Sequence, residues 1–275
     1  NGYLSMVTPF DNKSISLIKK QDIDILKVAS CSFTDWPLLE EMVQLDKPII
    51  ASTAGASKDD IDSVISFFQN RRKDFAIMHC VAQYPTPNQK LNLSQIDYLT
   101  NRYPGTTIGY STHEDPSNFS FVSMAAAKGA KIFEKHIGLP TDLYPVNKYS
   151  VTPAQFEKWL EALSLALIVC GQGSKRTPVD KAEQDSLILL RRGIFANRKI
   201  EKGETISRKD IYFAFPPSQN QFTANDYSKY SSFVSKTNIK LDEAISHDNT
   251  DILERRSILE EITKKINKLI TEANI

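Results

Sequence analysis

Through its first two thirds the chain alternates short apolar, β-branched runs with longer stretches of helical period. The runs Leu4–Val7, Ile23–Val28, Pro48–Ala51, Phe75–His79, Thr106–Gly109 and Lys131–Phe133 predict six strands. Segments between them, such as DDIDSVISFFQNRR and PSNFSFVSMAAAKG, predict helices. Strands recurring with helical crossovers predict parallel β/α units, because parallel neighbours need a long connection. The class is therefore α/β, with a barrel and a doubly wound sheet both open.

Each predicted strand runs into a small polar or ionisable residue: Thr8, Ser30, Ser52, His79, Ser111 and Glu134. Barrels and doubly wound sheets both gather their chemistry at the carboxyl ends of parallel strands. Any one serine or threonine could simply start a turn; six polar or ionisable strand ends in succession argue for a shared site.

Thr152-Pro153-Ala154-Gln155 then predicts a helix start, with a hydroxyl cap, proline at the first helical position and a capping-box glutamine. Phe156, Trp159, Leu160, Leu163 and Leu167 recur at helical spacing as a core stripe, and Gly171 suits a left-handed stop. The Gly-, Pro- and charge-rich stretch GQGSKRTPVDKAEQD predicts a linker. From Leu189 short strands around NRKIEKGETISRKDI, with Lys202-Gly203-Glu204 as a tight turn, predict a separate β-rich module. Ile252 to Ile270 carries an apolar stripe that predicts an amphipathic helix.

With 275 residues and 41% hydrophobic content, the chain can bury one large core and a smaller one. Its 34 basic and 33 acidic residues nearly cancel, so no broad field favours nucleic acid or an anionic membrane, and an anionic ligand must be held locally. Cys31, Cys80 and Cys170 are odd in number and widely spaced, which favours a reducing, cytoplasmic home. No apolar run approaches membrane-spanning length and no signal peptide is evident. The chain opens at Asn1 without a methionine and enters the strand-like YLSMVTPF almost at once, so the expectation is a fragment or processed product of a longer protein.

Two of the four histidines, His113 and His136, fall just past consecutive predicted strands. Adjacent parallel strands lie about 4.8 Å apart, so both imidazoles could meet over one site. Beside Glu134 or Glu114 such a pair suits a divalent ion such as Mn²⁺, Mg²⁺ or Zn²⁺. Lys27, inside an apolar strand, needs an anion to offset its burial, or else a path for its head to reach solvent. His79 reads as a core or supporting residue, and His247 as an exposed one.

The motifs TPFD (8–11), KVAS (27–30), KPIIAST (47–53), HCVAQYPTP (79–87), NL (92–93), IGYSTHE (108–114), GAKIFEKHIG (129–138) and RRGIFANRKIEKGE (191–204) resemble, in order and spacing, the sialic acid synthase family. The resemblance covers residues 3 to 245. It implies a (β/α)8 TIM barrel followed by a small antifreeze-like SAF domain, and condensation of phosphoenolpyruvate with an amino sugar, typically N-acetylmannosamine, to a 2-keto sugar acid. On that likeness residues 1–172 are a partial barrel, 173–188 a linker, 189–247 the SAF-like domain and 248–275 a terminal helix. His113 and His136 then hold a divalent metal, Mn²⁺ or Mg²⁺, and Glu134 is the catalytic carboxylate. Lys27, Ser30, Ser52 and Ser111 cradle phosphoenolpyruvate, with Tyr84 in the same loop. The family also implies a domain-swapped homodimer.

Departures from the family pattern fall mainly on the acceptor side. Ser111-Thr112-His113 stands for SDH, Tyr144-Pro145-Val146-Asn147 for a GPDH-like stretch, Ser32 for a glutamate and Phe215 for an arginine, while an asparagine near Ala82 is absent. The expected acceptor is therefore a different sugar, one lacking the N-acetyl group. The first recognisable strand resembles the family's third, so the chain alone is expected to have little activity. A related metal-dependent deoxy-sugar-acid synthase and a non-catalytic scaffold remain as rival readings.

Overall fold

The computed structural model describes residues 2–171, 176–254 and 256–272. Its contacts divide the chain into two compact units, Asn1–Ser174 and Lys175–Ile275.

The first unit alternates β1 (Met6–Val7), α1 (Asn12–Ile18), β2 (Ile25–Val28), α2 (Trp36–Met42), β3 (Ile49–Ser52), α3 (Lys58–Asn70), β4 (Phe75–Cys80), α4 (Ser94–Arg102), β5 (Thr107–Thr112), α5 (Ser120–Ala127), β6 (Ile132–Lys135) and α6 (Pro153–Cys170). All six strands are parallel and pair in strict sequence order, β1 to β6. A doubly wound sheet reverses its order at a switch point. These strands do not, so that alternative is excluded for them.

The sheet curls. Lys27 on β2 and Glu134 on β6 lie 3.5 Å apart at Nζ and Oε1, although in a flat sheet four strand spacings would separate their backbones by about 19 Å. Apolar residues on the convex side, among them Leu26, Val28, Ile49, Ile77 and Ile108, pack against Ile15, Leu39, Val64, Phe68 and Ile96 from the helices. Each such side chain contributes roughly 1.5–3 kcal/mol when fully buried. The concave side keeps the polar residues.

Local signals behave as their chemistry dictates. The Ser57 hydroxyl and the Asp60 carboxylate form a reciprocal capping box that starts α3. Thr152 and Gln155 do the same for α6, which ends at Gly171 with φ +67°. The α6 stripe is only partly core: Trp159 and Ala166 are buried, whereas Leu160 and Leu167 are exposed. α6 lies on α5, so only its face through Trp159 and Ala166 is covered, and the two leucines turn about 100° away from it.

In the second unit α7 (Lys181–Leu189) precedes β7 (Gly193–Ala196), β8 (Thr205–Ile206), β9 (Ile211–Ala214), β10 (Ser231–Ser235), β11 (Thr250–Glu254) and α8 (Arg256–Glu272). β11, β10 and β8 form one antiparallel sheet, and β7 with β9 another. Ile194, Ile206, Ile211, Phe222, Phe233 and Ile245 are buried within its core. Gly203 takes φ +87° at the predicted tight turn.

Two sequence expectations change here. Part of the expected linker is helix α7, because Asp180 caps it by accepting from the Glu183 amide; Gln172 to Lys175 of that linker lie outside the described residues. The expected terminal helix begins at Arg256, since Thr250–Glu254 pairs with β10, placing Ile252 opposite Phe233. Its last residues, 273–275, lie outside the described residues.

Candidate active site

Strand ends β1 to β6 and the loops that follow them enclose a pocket of about 540 Å³, with Thr8 after β1 among its lining residues. The residues that the resemblance assigned to the site line it: Lys27, Ser30 and Ser52, then Tyr84 and Ser111, then His113, Glu134 and His136. A larger groove of about 680 Å³ between α5 and α6 is lined by no charged side chain, so the chemistry gathers at the strand ends.

Period-two alternation explains the gathering. β5 pairs Ser111 with Glu134 and Thr112 with Lys135 on β6. Ser111, His113, Glu134 and His136 therefore share the pocket face, while Tyr110, Thr112, Glu114 and Lys135 turn to the helix side. Four predicted strands extend beyond their expected ends, so Ser52, Cys80, Ser111 and Glu134 are held in the ladder itself.

Lys27 is only 6% exposed and its head does not escape to solvent. Its Nζ donates to Ser52 Oγ at 2.7 Å and faces Glu134 Oε1 at 3.5 Å. Ser111 Oγ donates to the same carboxylate oxygen at 2.6 Å. Ser30 Oγ accepts from the Ala54 amide at 3.1 Å, tying the turn after β2 to the turn after β3. The result is a carboxylate held by one ammonium and one hydroxyl, with the Ser52 hydroxyl behind the ammonium.

The imidazoles of His113 and His136 lie 5.1 Å apart between centroids. His113 Nδ1 donates to the Val81 carbonyl at 3.1 Å, which leaves Nε2 with its lone pair. Burial, joined by repulsion from His136 and Lys135, pushes the His113 pKa below its ordinary value. It is held neutral, the form that ligates a metal. Among the described residues no group of three His, Cys, Asp or Glu side chains converges as a cage. The imidazole pair could supply two nitrogen ligands to a divalent ion, whose remaining positions would be left to oxygen ligands.

Cys80 Sγ is 4.0 Å from His113 Nδ1. Because that ring proton goes to Val81 and burial raises the thiol pKa, Cys80 is no activated nucleophile. His79 faces the helix side, where Nε2 meets the Leu91 carbonyl at 2.7 Å, and reads as core.

Sequence reasoning missed Tyr149. Its ring lies 5.3 Å from His136, 6.0 Å from His113 and 5.2 Å from Tyr84. Asn147 Oδ1 accepts from the Tyr149 and Ser150 amides at 3.1 and 2.8 Å, an Asx turn that fixes the loop beside the imidazoles. The Asn147 turn was the only local signal. Glu114, offered by the sequence as a neighbour of the metal, lies instead on the opposite face, paired with Lys135 at 3.2 Å.

The NeuB family profile matches residues 1–175. The chain is 32% identical over 217 residues to an uncharacterized protein of Methanocaldococcus jannaschii, covering 78% of this chain and 63% of that one. It is 28% identical over 242 residues to the N,N'-diacetyllegionaminic acid synthase of Campylobacter jejuni, covering 86% and 70%. A crystal structure from Chromobacterium violaceum, provisionally described as spore coat polysaccharide biosynthesis protein E, superposes with TM-score 0.88 at 49% identity, covering 91% of this chain and 74% of that one. The chain thus spans less than two thirds of the length of the first of these relatives.

Proposed function

The chain belongs to the NeuB family, and from that premise we propose that the protein acts in carbohydrate biosynthesis as a sugar-acid synthase, condensing phosphoenolpyruvate with an aldose to a 2-keto sugar acid and releasing phosphate. The observation that carries this reading is the chain of contacts from Ser52 through Lys27 and Glu134 to Ser111, set in one pocket with two facing imidazoles. In support of the fold that goes with it, the strictly sequential, curled sheet is what the wall of a (β/α)8 barrel requires. Residues 189–247 are read as the SAF-like module that accompanies it.

Lys27 and the hydroxyls of Ser30, Ser52 and Ser111 supply the local positive and hydrogen-bonding surface that a highly charged phosphoenolpyruvate needs, on a chain whose net charge is only +1. A divalent ion, Mn²⁺ or Mg²⁺, held by His113 and His136 supplies Lewis-acid polarisation of the acceptor aldehyde. Glu134, in contact with Lys27 and Ser111, is poised to take a proton from the water that enters the product. Tyr84, 4.3 Å from His113, closes the pocket beside the imidazoles. The departures from the family pattern at Ser32 and Phe215 favour, on that resemblance, a sugar without the N-acetyl group. Free Cys31, Cys80 and Cys170 accord with a cytoplasmic setting, no described helix is long and apolar enough to cross a membrane, and a domain-swapped homodimer is part of the same reading.

Phosphate release from phosphoenolpyruvate by the full-length parent protein with Mn²⁺, measured across hexosamines, hexoses and pentoses, tests it. Release with one sugar, abolished in His136→Ala, is the expected result. No release with any sugar by folded, metal-bound protein would transfer the reading to a scaffold or to another donor.

A further inference from the structure

Behind the pocket, on the helix side of the sheet, lies a second charged pair. Lys135 and Glu114 meet at 3.2 Å with side chains 1% and 0% exposed. Lys135 Nζ also donates to the Glu114 main-chain carbonyl at 3.3 Å. Tyr110 donates to Glu114 Oε2 at 3.3 Å, and Thr112 Oγ1 donates to the Tyr110 hydroxyl at 2.9 Å.

The sequence places these residues one step from the imidazoles: Glu114 follows His113, and Lys135 precedes His136. The register between β5 and β6 ends at Thr112 and Lys135, so His113 and His136 both lie beyond the last paired residue. A ladder hydrogen bond no longer fixes the distance between the two strand ends there. Lys135 restores that link, because its ammonium binds both the carboxylate and the backbone carbonyl of Glu114.

Burying two charges is expensive, and well-packed apolar side chains of similar volume are often as stable or more so. The pair is thus poorly accounted for by stability alone. We infer that Glu114 and Lys135 form a positioning clasp that sets the spacing of the His113 and His136 imidazoles. The metal half of its consequence rests on the function proposed above; the spacing half does not. The clasp acts through the backbone, from the face opposite the pocket, and touches no substrate.

The test replaces the clasp by apolar side chains, Glu114→Leu together with Lys135→Met, and reads three quantities on the whole protein. Mn²⁺ affinity is titrated by electron paramagnetic resonance, the nuclear Overhauser effect between the two imidazoles is recorded without metal, and the melting temperature is followed by circular dichroism. The clasp predicts a weakened or lost inter-ring effect and Mn²⁺ affinity lower by roughly 10- to 100-fold, the scale of losing a supporting partner of a metal ligand, with melting little changed. An inter-ring effect and Mn²⁺ affinity both equal to wild type overturn it. If wild-type protein binds no Mn²⁺, the metal reading fails, and the inter-ring effect alone decides the clasp. Glu114→Gln, which keeps the shape and removes the charge, carries the same readouts should the double variant not fold.

Discussion

Lys27 Nζ stands 3.5 Å from Glu134 Oε1, joining the second strand of the sheet to the sixth across the mouth of the pocket. Neither group has a reason to be there in a purely apolar barrel-like core. Together they leave a cation that can turn to an incoming anion while the carboxylate retains its bond from Ser111.

Lys27→Met is therefore expected to weaken phosphoenolpyruvate binding by about 10- to 100-fold, the equivalent of a charge-assisted hydrogen bond of about 1.5–3 kcal/mol. Calorimetric titration of the variant with phosphoenolpyruvate checks it. Unchanged affinity would remove Lys27 from the anion site.

Glu134→Gln keeps the shape of the side chain and its contact with Ser111 but cannot accept a proton as a base. Turnover, followed as phosphate release, should fall by about 10²- to 10⁴-fold. Mn²⁺ and phosphoenolpyruvate should still bind. A loss of binding that matched the loss of turnover would assign Glu134 to holding ligand rather than to proton transfer.

Strands β2 to β5 could be found in the sequence because they are largely buried on both faces, which leaves near-continuous apolar runs. Carboxyl ends were set short at Gly109 and Phe133, although β5 runs to Thr112 and β6 to Lys135. Polar side chains interrupt the apolar run there while the backbone stays in the ladder. The Glu114–Lys135 pair was hidden for a different reason: its partners are 21 residues apart and meet only once the register is known. Most of the polar residues lining the pocket were legible in or just past predicted strands, and Tyr84 through an ordered motif; Tyr149, in a loop outside both, was not. Helix α7 was hidden by the glycines and proline that precede its Asp180 cap.

Gly109 on β5 pairs with Ile132 on β6. A Cβ there would sit 2.7 Å from the Ile132 carbonyl oxygen and 3.2 Å from Met78 Cε. The methionine can move, but the backbone oxygen of β6 cannot without parting the strands that carry Ser111 and Glu134. Gly109→Ala should destabilise the first unit by about 1–3 kcal/mol, the usual cost of overpacking. Trp36 and Trp159, the only two tryptophans in the chain, both lie in that unit, so a urea titration by tryptophan fluorescence reads it directly. An unchanged midpoint would mean that β6 gives way freely.

Acid sensitivity of the second unit should centre on Asp210. Its side chain is 5% exposed, accepts from Arg198 Nε at 2.8 Å and from the Ser207 amide at 2.8 Å, and the Ser207 and Arg198 bonds hold its pKa at about 2, below the ordinary 3.8. A carboxyl whose pKa is lower in the folded state stabilises the fold fully above its unfolded value. That contribution, roughly 2 kcal/mol, is lost as pH falls from about 4 through about 2. Asp210→Asn should therefore remove most of it at neutral pH and make the stability of this unit fall less steeply across the acid window. Hydrogen exchange at the Ser207 amide and at the Asn197 amide, which donates to the Asp210 carbonyl at 2.7 Å, reads the local opening free energy at each pH. Protection that falls equally steeply with acid in wild type and variant would place the titrating group elsewhere in the unit.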